Sequence, residues 1–255
     1  MKVLVTGANG QLGQCLQKIE KEYSQIDFFF RTSEELNITS LDSIKSNFEL
    51  FKPDFCINCA AYTNVDQAEK ESKKAFAVNA EGVKNLSKVC KNYGTVLIHI
   101  STDYVFDGEK TGPYTVDDIP NPINQYGKSK LKGEEYIQEI LEKYFIVRTS
   151  WLYSEFGKNF YKTILEKAKT EKIIYVTNEQ TGCPTNANNL AKFLVELVIS
   201  NEERYRIIHF ADFEQMTWFE FVKKIAKENK LKAKVIAREY SSFAARPENS
   251  TLQNN

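Results

Sequence analysis

The chain has 255 residues, enough for one large domain, or one domain with a small appendage, that buries a substantial core. Lysine plus arginine and aspartate plus glutamate each number 34, so no net field draws nucleic acid or an anionic membrane to the surface. Met1 runs straight into Lys2-Val3-Leu4-Val5-Thr6, without a charged leader or a long apolar segment, which argues against a signal peptide or a membrane anchor and leads us to expect a cytoplasmic protein.

Strand-like runs at Lys2 to Thr6, Asp27 to Arg31, Asp54 to Asn58, Thr95 to Ser101 and Phe145 to Thr149 alternate with helical stretches. The helices are expected at Gln11 to Glu22, Ser40 to Phe51, Ser72 to Tyr93 and Asn124 to Lys143. This rhythm predicts an α/β fold, a Rossmann-type doubly wound parallel sheet, over residues 1–150, which the glycine turn at Gly7 to Gly13 makes the expected NAD(P)-binding domain. Residues 102–123 hold Gly108, Gly112, Pro113, Pro120 and Pro122, the composition of a long loop of the kind that lines active sites. Residues 151–255 read as a smaller C-terminal substrate-binding lobe interleaved with the end of the sheet. Its helices are expected near Lys158 to Thr170, Ala187 to Ser200 and Trp218 to Glu228, with strands at Lys172 to Val176 and Arg206 to Phe210.

Gly7-Ala8-Asn9-Gly10-Gln11-Leu12-Gly13 directly follows the first strand and opens the first helix. Gly7 and Gly10 let the backbone turn tightly against a pyrophosphate at the helix N-terminus, and Gly13 lets helix and strand sit close. At the end of the second strand an acid would suit the ribose diol of NAD, and an arginine the phosphate of NADP. Arg31 stands there, so NADPH is the favoured cofactor and NADH the alternative. Glu34 and Glu35 are the competing groups for a ribose.

Tyr126 and Lys130 are four residues apart, hence on one face of a helix about one turn from each other. A phenol beside an ammonium is a proton donor whose anion is stabilised, as reduction of a carbonyl requires. Ser101-Thr102-Asp103-Tyr104 lies between this pair and the glycine turn, at the end of an apolar strand. Cys56 and Cys59 form a C-x-x-C, but residues three apart on a strand face opposite sides. No second pair follows, and His99 and His209 lie in separate apolar runs. These cysteines are therefore expected to be structural, with no metal.

In these motifs the chain resembles the extended short-chain dehydrogenase/reductase superfamily and, within it, the dTDP-4-dehydrorhamnose reductase family. The resemblance also rests on Asn58 to Glu69, Val105 to Gly108, Tyr126 to Glu134, Arg148 to Tyr153, Gln180 to Thr185 and Ala245 to Ser250. It implies reduction of the 4-keto group of a dTDP-6-deoxy-4-hexulose, in dTDP-L-rhamnose and cell-surface polysaccharide biosynthesis. In that reading Tyr126 protonates the sugar oxygen, Lys130 holds the nicotinamide ribose and lowers the phenol pKa, and Thr102 positions the carbonyl. Gly10, Gln11, Leu12, Asn37, Ile38, Ala61, Tyr62 and Thr63 would line the cofactor. Asp103, Tyr104 and Trp151 would border the sugar, and Arg246 is the candidate for the diphosphate. Duller readings stand beside these: Trp151 as core, Arg246 as a structural ion pair, and Asn79 as a brace between strands.

Cys15 stands where some family members carry a glutamate associated with a magnesium-dependent dimer, so no metal is implied, and a monomer is expected as readily as a homodimer. The family pattern continues through another helix beyond Leu252, so the lobe is expected to lack its final helix. Competing implications are a nucleotide-sugar epimerase or dehydratase of the same superfamily, and a regulatory protein like the β subunit of methionine adenosyltransferase. Thr102 followed by only one acid weighs against a dehydratase, and the intact Thr102, Tyr126 and Lys130 against the regulatory protein.

Overall fold

A computed structural model describes residues 1–200, 203–212, 214–239 and 242–255. The first half runs β1 (Lys2–Thr6), α1 (Gln11–Ile19), β2 (Asp27–Arg31), α2 (Leu41–Phe51), β3 (Phe55–Asn58), α3 (Val65–Lys70), α4 (Ser72–Phe76), α5 (Val83–Tyr93), β4 (Val96–Thr102), α6 (Gln125–Ile140) and β5 (Tyr144–Thr149). The second half adds β6 (Leu152–Tyr153), α7 (Phe160–Thr170), β7 (Ile173–Val176), β8 (Thr181–Gly182), β9 (Thr185–Asn186), α8 (Ala187–Ser200), β10 (Arg206–His209), β11 (Met216–Thr217), α9 (Trp218–Glu228) and β12 (Lys234–Ala237).

Six parallel strands form the central sheet in the order β10-β5-β4-β3-β1-β2. Their runs are apolar almost without alternation because helices cover both faces. On one face Val3, Val5, Ile57 and Ile98 pack with Leu12 and Leu16 of α1 and Leu190 and Leu194 of α8. On the other, Leu4, Cys56 and Leu97 meet Phe48 of α2, Leu86 of α5 and Ile137 of α6. The strand order reverses between β1 and β3, and the crevice outside the carboxyl ends of such strands is where ligands bind.

The lobe has its own small core of Ile164, Ile174, Val176, Phe221, Val222 and Ile225. Features of the structure not expected from the sequence include β12, which pairs in parallel with β7, the two-residue strands β6, β8, β9 and β11, and the short helix α3. β10, from the C-terminal part of the chain, joins the main sheet beside β5.

The expected helix from Ser72 to Tyr93 is one helical run interrupted by a π turn at Ala77–Gly82. That turn seats Asn79 against two other segments. Its Oδ1 accepts from Tyr62 N at 2.8 Å, and its Nδ2 donates to Tyr62 O at 2.9 Å and to Ser129 Oγ at 3.0 Å. Asn79 therefore ties the loop after β3 to α6. Among the described residues no helix is long and apolar enough to cross a membrane.

Candidate active site

The glycine turn is built by close backbone approach. Gly7 has φ +65°, and a Cβ there would lie 2.7 Å from Ala60 N, in the loop after β3. Gly10 N donates to Gly7 O at 2.8 Å, and Gly10 caps α1 without any side-chain bond to its first amides. Those amides remain available for an anion, which fits a dinucleotide pyrophosphate. A cleft of about 610 Å³ opens above the turn, lined by Gly10, Gln11, Leu12, Ala61 and Thr63 on this side.

Of the other expected cofactor residues, Gly7 and Gly13 underlie the turn; a Cβ on Gly13 would meet Ala8 O at 2.7 Å. Tyr62 is held by Asn79 and donates its hydroxyl to Glu71 at 3.1 Å. Ile38 is buried against Gly82, and Asn37 uses its Oδ1 on Thr39. Arg31 ends β2 beside the turn, where its carbonyl accepts from Ala8 N at 3.0 Å. Its guanidinium lies 4.4 Å over the Phe51 ring and donates to Asn47 Oδ1 at 3.3 Å, so it is outside the cleft lining.

Thr102, Asp103, Tyr104, Tyr126, Lys130 and Trp151 all line the same cleft. Asn124 caps α6 through Gly127 N at 2.8 Å. A Cβ on Gly127 would lie 2.1 Å from Tyr104 O, so glycine lets the first turn press against the loop after β4. That contact sets the Tyr126 ring edge-on to Tyr104, with centroids 5.8 Å apart. Thr102 Oγ1 donates to Asp103 Oδ1 at 2.9 Å. Lys130 is buried and donates to Ile100 O at 2.7 Å.

Burial governs the charges here. It pushes the Tyr126 phenol above its usual value, opposed by a hydrogen bond from Thr102 and reinforced by Asp103 and Tyr104. Lys130, expected to lower it, is not among the groups acting on the phenol; its nitrogen is engaged with the strand. Burial brings Lys130 down to about 8.

Burial also pushes the Asp103 carboxyl up to about 7, and Ser250 and Thr102 favour the ionised form less strongly. Its Oδ2 is buried and has no hydrogen-bond partner of good geometry. A folded value above the unfolded one near 3.9 means the folded chain holds the extra proton. Stability from this group is complete below about pH 4 and is lost as pH rises to 7. Asp103→Asn should therefore melt higher than the parent at pH 8, by up to about 4 kcal/mol in stability, with the difference gone at pH 4. Thermal melts across that range check this; parallel curves for the two proteins would remove Asp103 as the cause.

On the far side, Trp151 has φ +46° and stacks on Trp218 of α9, with centroids 3.5 Å apart and planes within 5°. Glycine at 182 makes room, since a Cβ there would come within 2.6 Å of the Trp151 ring. Arg246 lies outside this cleft and lines a second one of about 300 Å³, with Phe160, Ile164, Lys167 and Gln180; Tyr104 and Trp218 line both. Its guanidinium donates to Asp66 Oδ2 at 3.1 Å and Tyr104 Oη at 3.3 Å.

Trp218, Lys158 and Asn159 line the main cleft without having stood out in the sequence. Asn159 donates to Gln11 Oε1 at 2.6 Å, joining the lobe to the glycine turn. The cysteines divide as expected: Cys56 packs into one face of the sheet and Cys59 against the other, where it meets the cleft.

A doubly wound sheet with a glycine turn and a Thr, Tyr and Lys set in one cleft is that of a nicotinamide-dependent oxidoreductase of the extended short-chain dehydrogenase/reductase superfamily. Residues 1–255 match the family described as RmlD substrate binding domain, and the chain belongs to that family. It is 37% identical over 264 residues to a dTDP-4-dehydrorhamnose reductase of Aggregatibacter actinomycetemcomitans, covering 98% of this chain and 90% of the relative. It is 38% identical to the spore coat polysaccharide biosynthesis protein SpsK of Bacillus subtilis, covering 98% and 88%. A dTDP-4-dehydrorhamnose reductase of Bacillus anthracis, solved in complex with NADP, superposes with a TM-score of 0.96 at 39% identity, covering 100% of this chain and 90% of that one. A UDP-glucose 4-epimerase of Thermotoga maritima shares the fold at 17% identity and a TM-score of 0.84.

Proposed function

We propose that this protein reduces the 4-keto group of dTDP-4-dehydro-6-deoxy-L-mannose (dTDP-4-dehydrorhamnose) to give dTDP-L-rhamnose, with NADPH as reductant. The observation that carries the reading is the convergence of Thr102, Tyr126 and Lys130 on the cleft above the glycine turn, in a chain matched along its whole length by reductases of this name.

The α1 amides and the Gly7 to Gly13 turn would hold the pyrophosphate, with Ala61 and Thr63 along one wall and Arg31 at the strand end nearest the adenosine ribose. Bound there, NADPH supplies a hydride. Tyr126 Oη gives the proton that the reduced sugar oxygen needs, and the Thr102 hydroxyl orients the carbonyl toward it. Asp103 and Tyr104 border the sugar, and the Trp151 and Trp218 stack closes one side of the cleft. The second cleft then takes the nucleotide, with Arg246 toward the diphosphate.

NADPH oxidation followed by absorbance, with dTDP-4-dehydrorhamnose in excess, tests the reading. Rapid oxidation yielding dTDP-L-rhamnose is expected. Folded, cofactor-binding protein that oxidises no NADPH, or that is isolated with tightly held NAD, would overturn it in favour of an epimerase or a regulatory protein.

A further inference from the structure

His99 sits within β4, fully buried, and the reaction described above gives it no part. Its ring faces two side-chain nitrogens. Nδ1 is 2.9 Å from Asn58 Nδ2, and Nε2 is 3.2 Å from Lys130 Nζ. Asn58 is oriented by its other end, because its Oδ1 accepts from Thr6 Oγ1 at 2.6 Å and from Ala60 N at 3.3 Å. The amide nitrogen must therefore face the ring.

Burial holds His99 well below the usual histidine range, so the imidazole is neutral. A neutral ring has one donor and one acceptor. With Nδ1 accepting from Asn58, the hydrogen is on Nε2, pointing at Lys130. An ammonium has three hydrogens and no lone pair, and would face that N–H as a second donor. An amine accepts it and still donates to Ile100 O, 2.7 Å away. The Nε2 hydrogen of His99 and the lysine hydrogen aimed at the strand then each have an acceptor.

We propose that His99 is a positioning residue for Lys130: held in one tautomer by Asn58, it seats the lysine nitrogen against the Ile100 carbonyl and favours the neutral amine before cofactor binds. The other ionisable groups facing Lys130 are Cys59, at the end of β3, and Glu134, one turn along α6. Burial keeps the Cys59 thiol protonated, and Glu134 is paired with Arg148 at 2.7 Å, so neither replaces the histidine. The ammonium returns when an acceptor in the cleft draws the nitrogen away from the ring. Cofactor binding above about pH 8 is then accompanied by proton uptake.

The proposal rests on the reading of Lys130 as part of the site, but its test needs no substrate. In protein labelled with ¹³C at lysine Cε, the Lys130 signal is the one absent from Lys130→Arg. It should titrate near pH 8 in the parent and at least about one pH unit higher in His99→Gln, whose amide oxygen accepts from an ammonium. Asn58→Ala should shift it in the same direction with the histidine in place, because the ring is then able to turn Nε2 into an acceptor. A parent signal titrating with the ordinary lysines, or one midpoint shared by the parent and both variants, would overturn the assignment. Loss of NADPH oxidation alone would count against the function and leave this titration unaffected.

Discussion

Tyr126→Phe should cut turnover by a factor on the order of 10² to 10⁴ while leaving NADPH affinity nearly unchanged. The substitution removes one oxygen and keeps the ring, so the edge-on contact with Tyr104 and the cap of α6 by Asn124 survive. What disappears is the proton that, in the proposed reaction, goes to the sugar oxygen. Because burial raises the phenol above its ordinary value, the group is fully protonated at neutral pH and, in the proposed role, would act as an acid without prior activation. Thr102 favours its conjugate base, and in the proposed reaction Lys130 would do so once that nitrogen is charged. Steady-state rates beside a fluorescence titration of NADPH separate the two effects. Turnover within tenfold of the parent would take the acid role away from Tyr126, whereas a large loss of cofactor affinity would make it a binding residue instead.

Arg148→Met should destabilise the fold by about 3–5 kcal/mol, and Glu134→Met should do the same. The two side chains form a buried bidentate pair, with Arg148 Nη2 2.7 Å and Nε 3.1 Å from the carboxylate and exposures of 2% and 1%. The Ser101 hydroxyl bonds to Glu134 as well, and the guanidinium lies 5.1 Å over the Phe106 ring. Removing one member leaves the other charged inside the protein, with no water to compensate it. In a chain of this length that corresponds to a fall of roughly 10 °C in melting temperature. The double variant Glu134→Met with Arg148→Met leaves no buried charge and should recover much of the loss. If it melts as low as either single variant, shape rather than charge is what the pair contributes. Since Glu134 is on the helix that carries Tyr126 and Lys130, and Arg148 is on β5, the pair also fixes how α6 lies on the sheet.

The glycine turn and the Tyr126 and Lys130 pair were legible because each is a local arrangement. Seven residues contain the whole turn, and four residues make one helical turn, so spacing alone puts the groups together. The parallel sheet was legible for a related reason, since apolar runs without alternation mean strands covered on both faces. The partnership of Glu134 with Arg148 was not, although both residues lie within motifs that stand out. Their contact crosses from a helix to a strand, and nothing in either segment names the other. Arg31 illustrates the reverse case. Its place at the end of β2 follows from the sequence, while the turn of its guanidinium onto Phe51 depends on where α2 lies.

By itself, then, the sequence determined the class of fold, the glycine turn and the placing of Tyr126 one helical turn from Lys130, because short-range spacing and periodicity dictate them. Tertiary structure decided the wall made by Trp151 and Trp218, which are 67 residues apart in the chain, and the two clefts that Tyr104 and Trp218 share. It also decided the charge states of Asp103, Lys130 and His99. A side chain's protonation is set by how far water is excluded and by which donors and acceptors face it, and both arrive with distant segments of the chain.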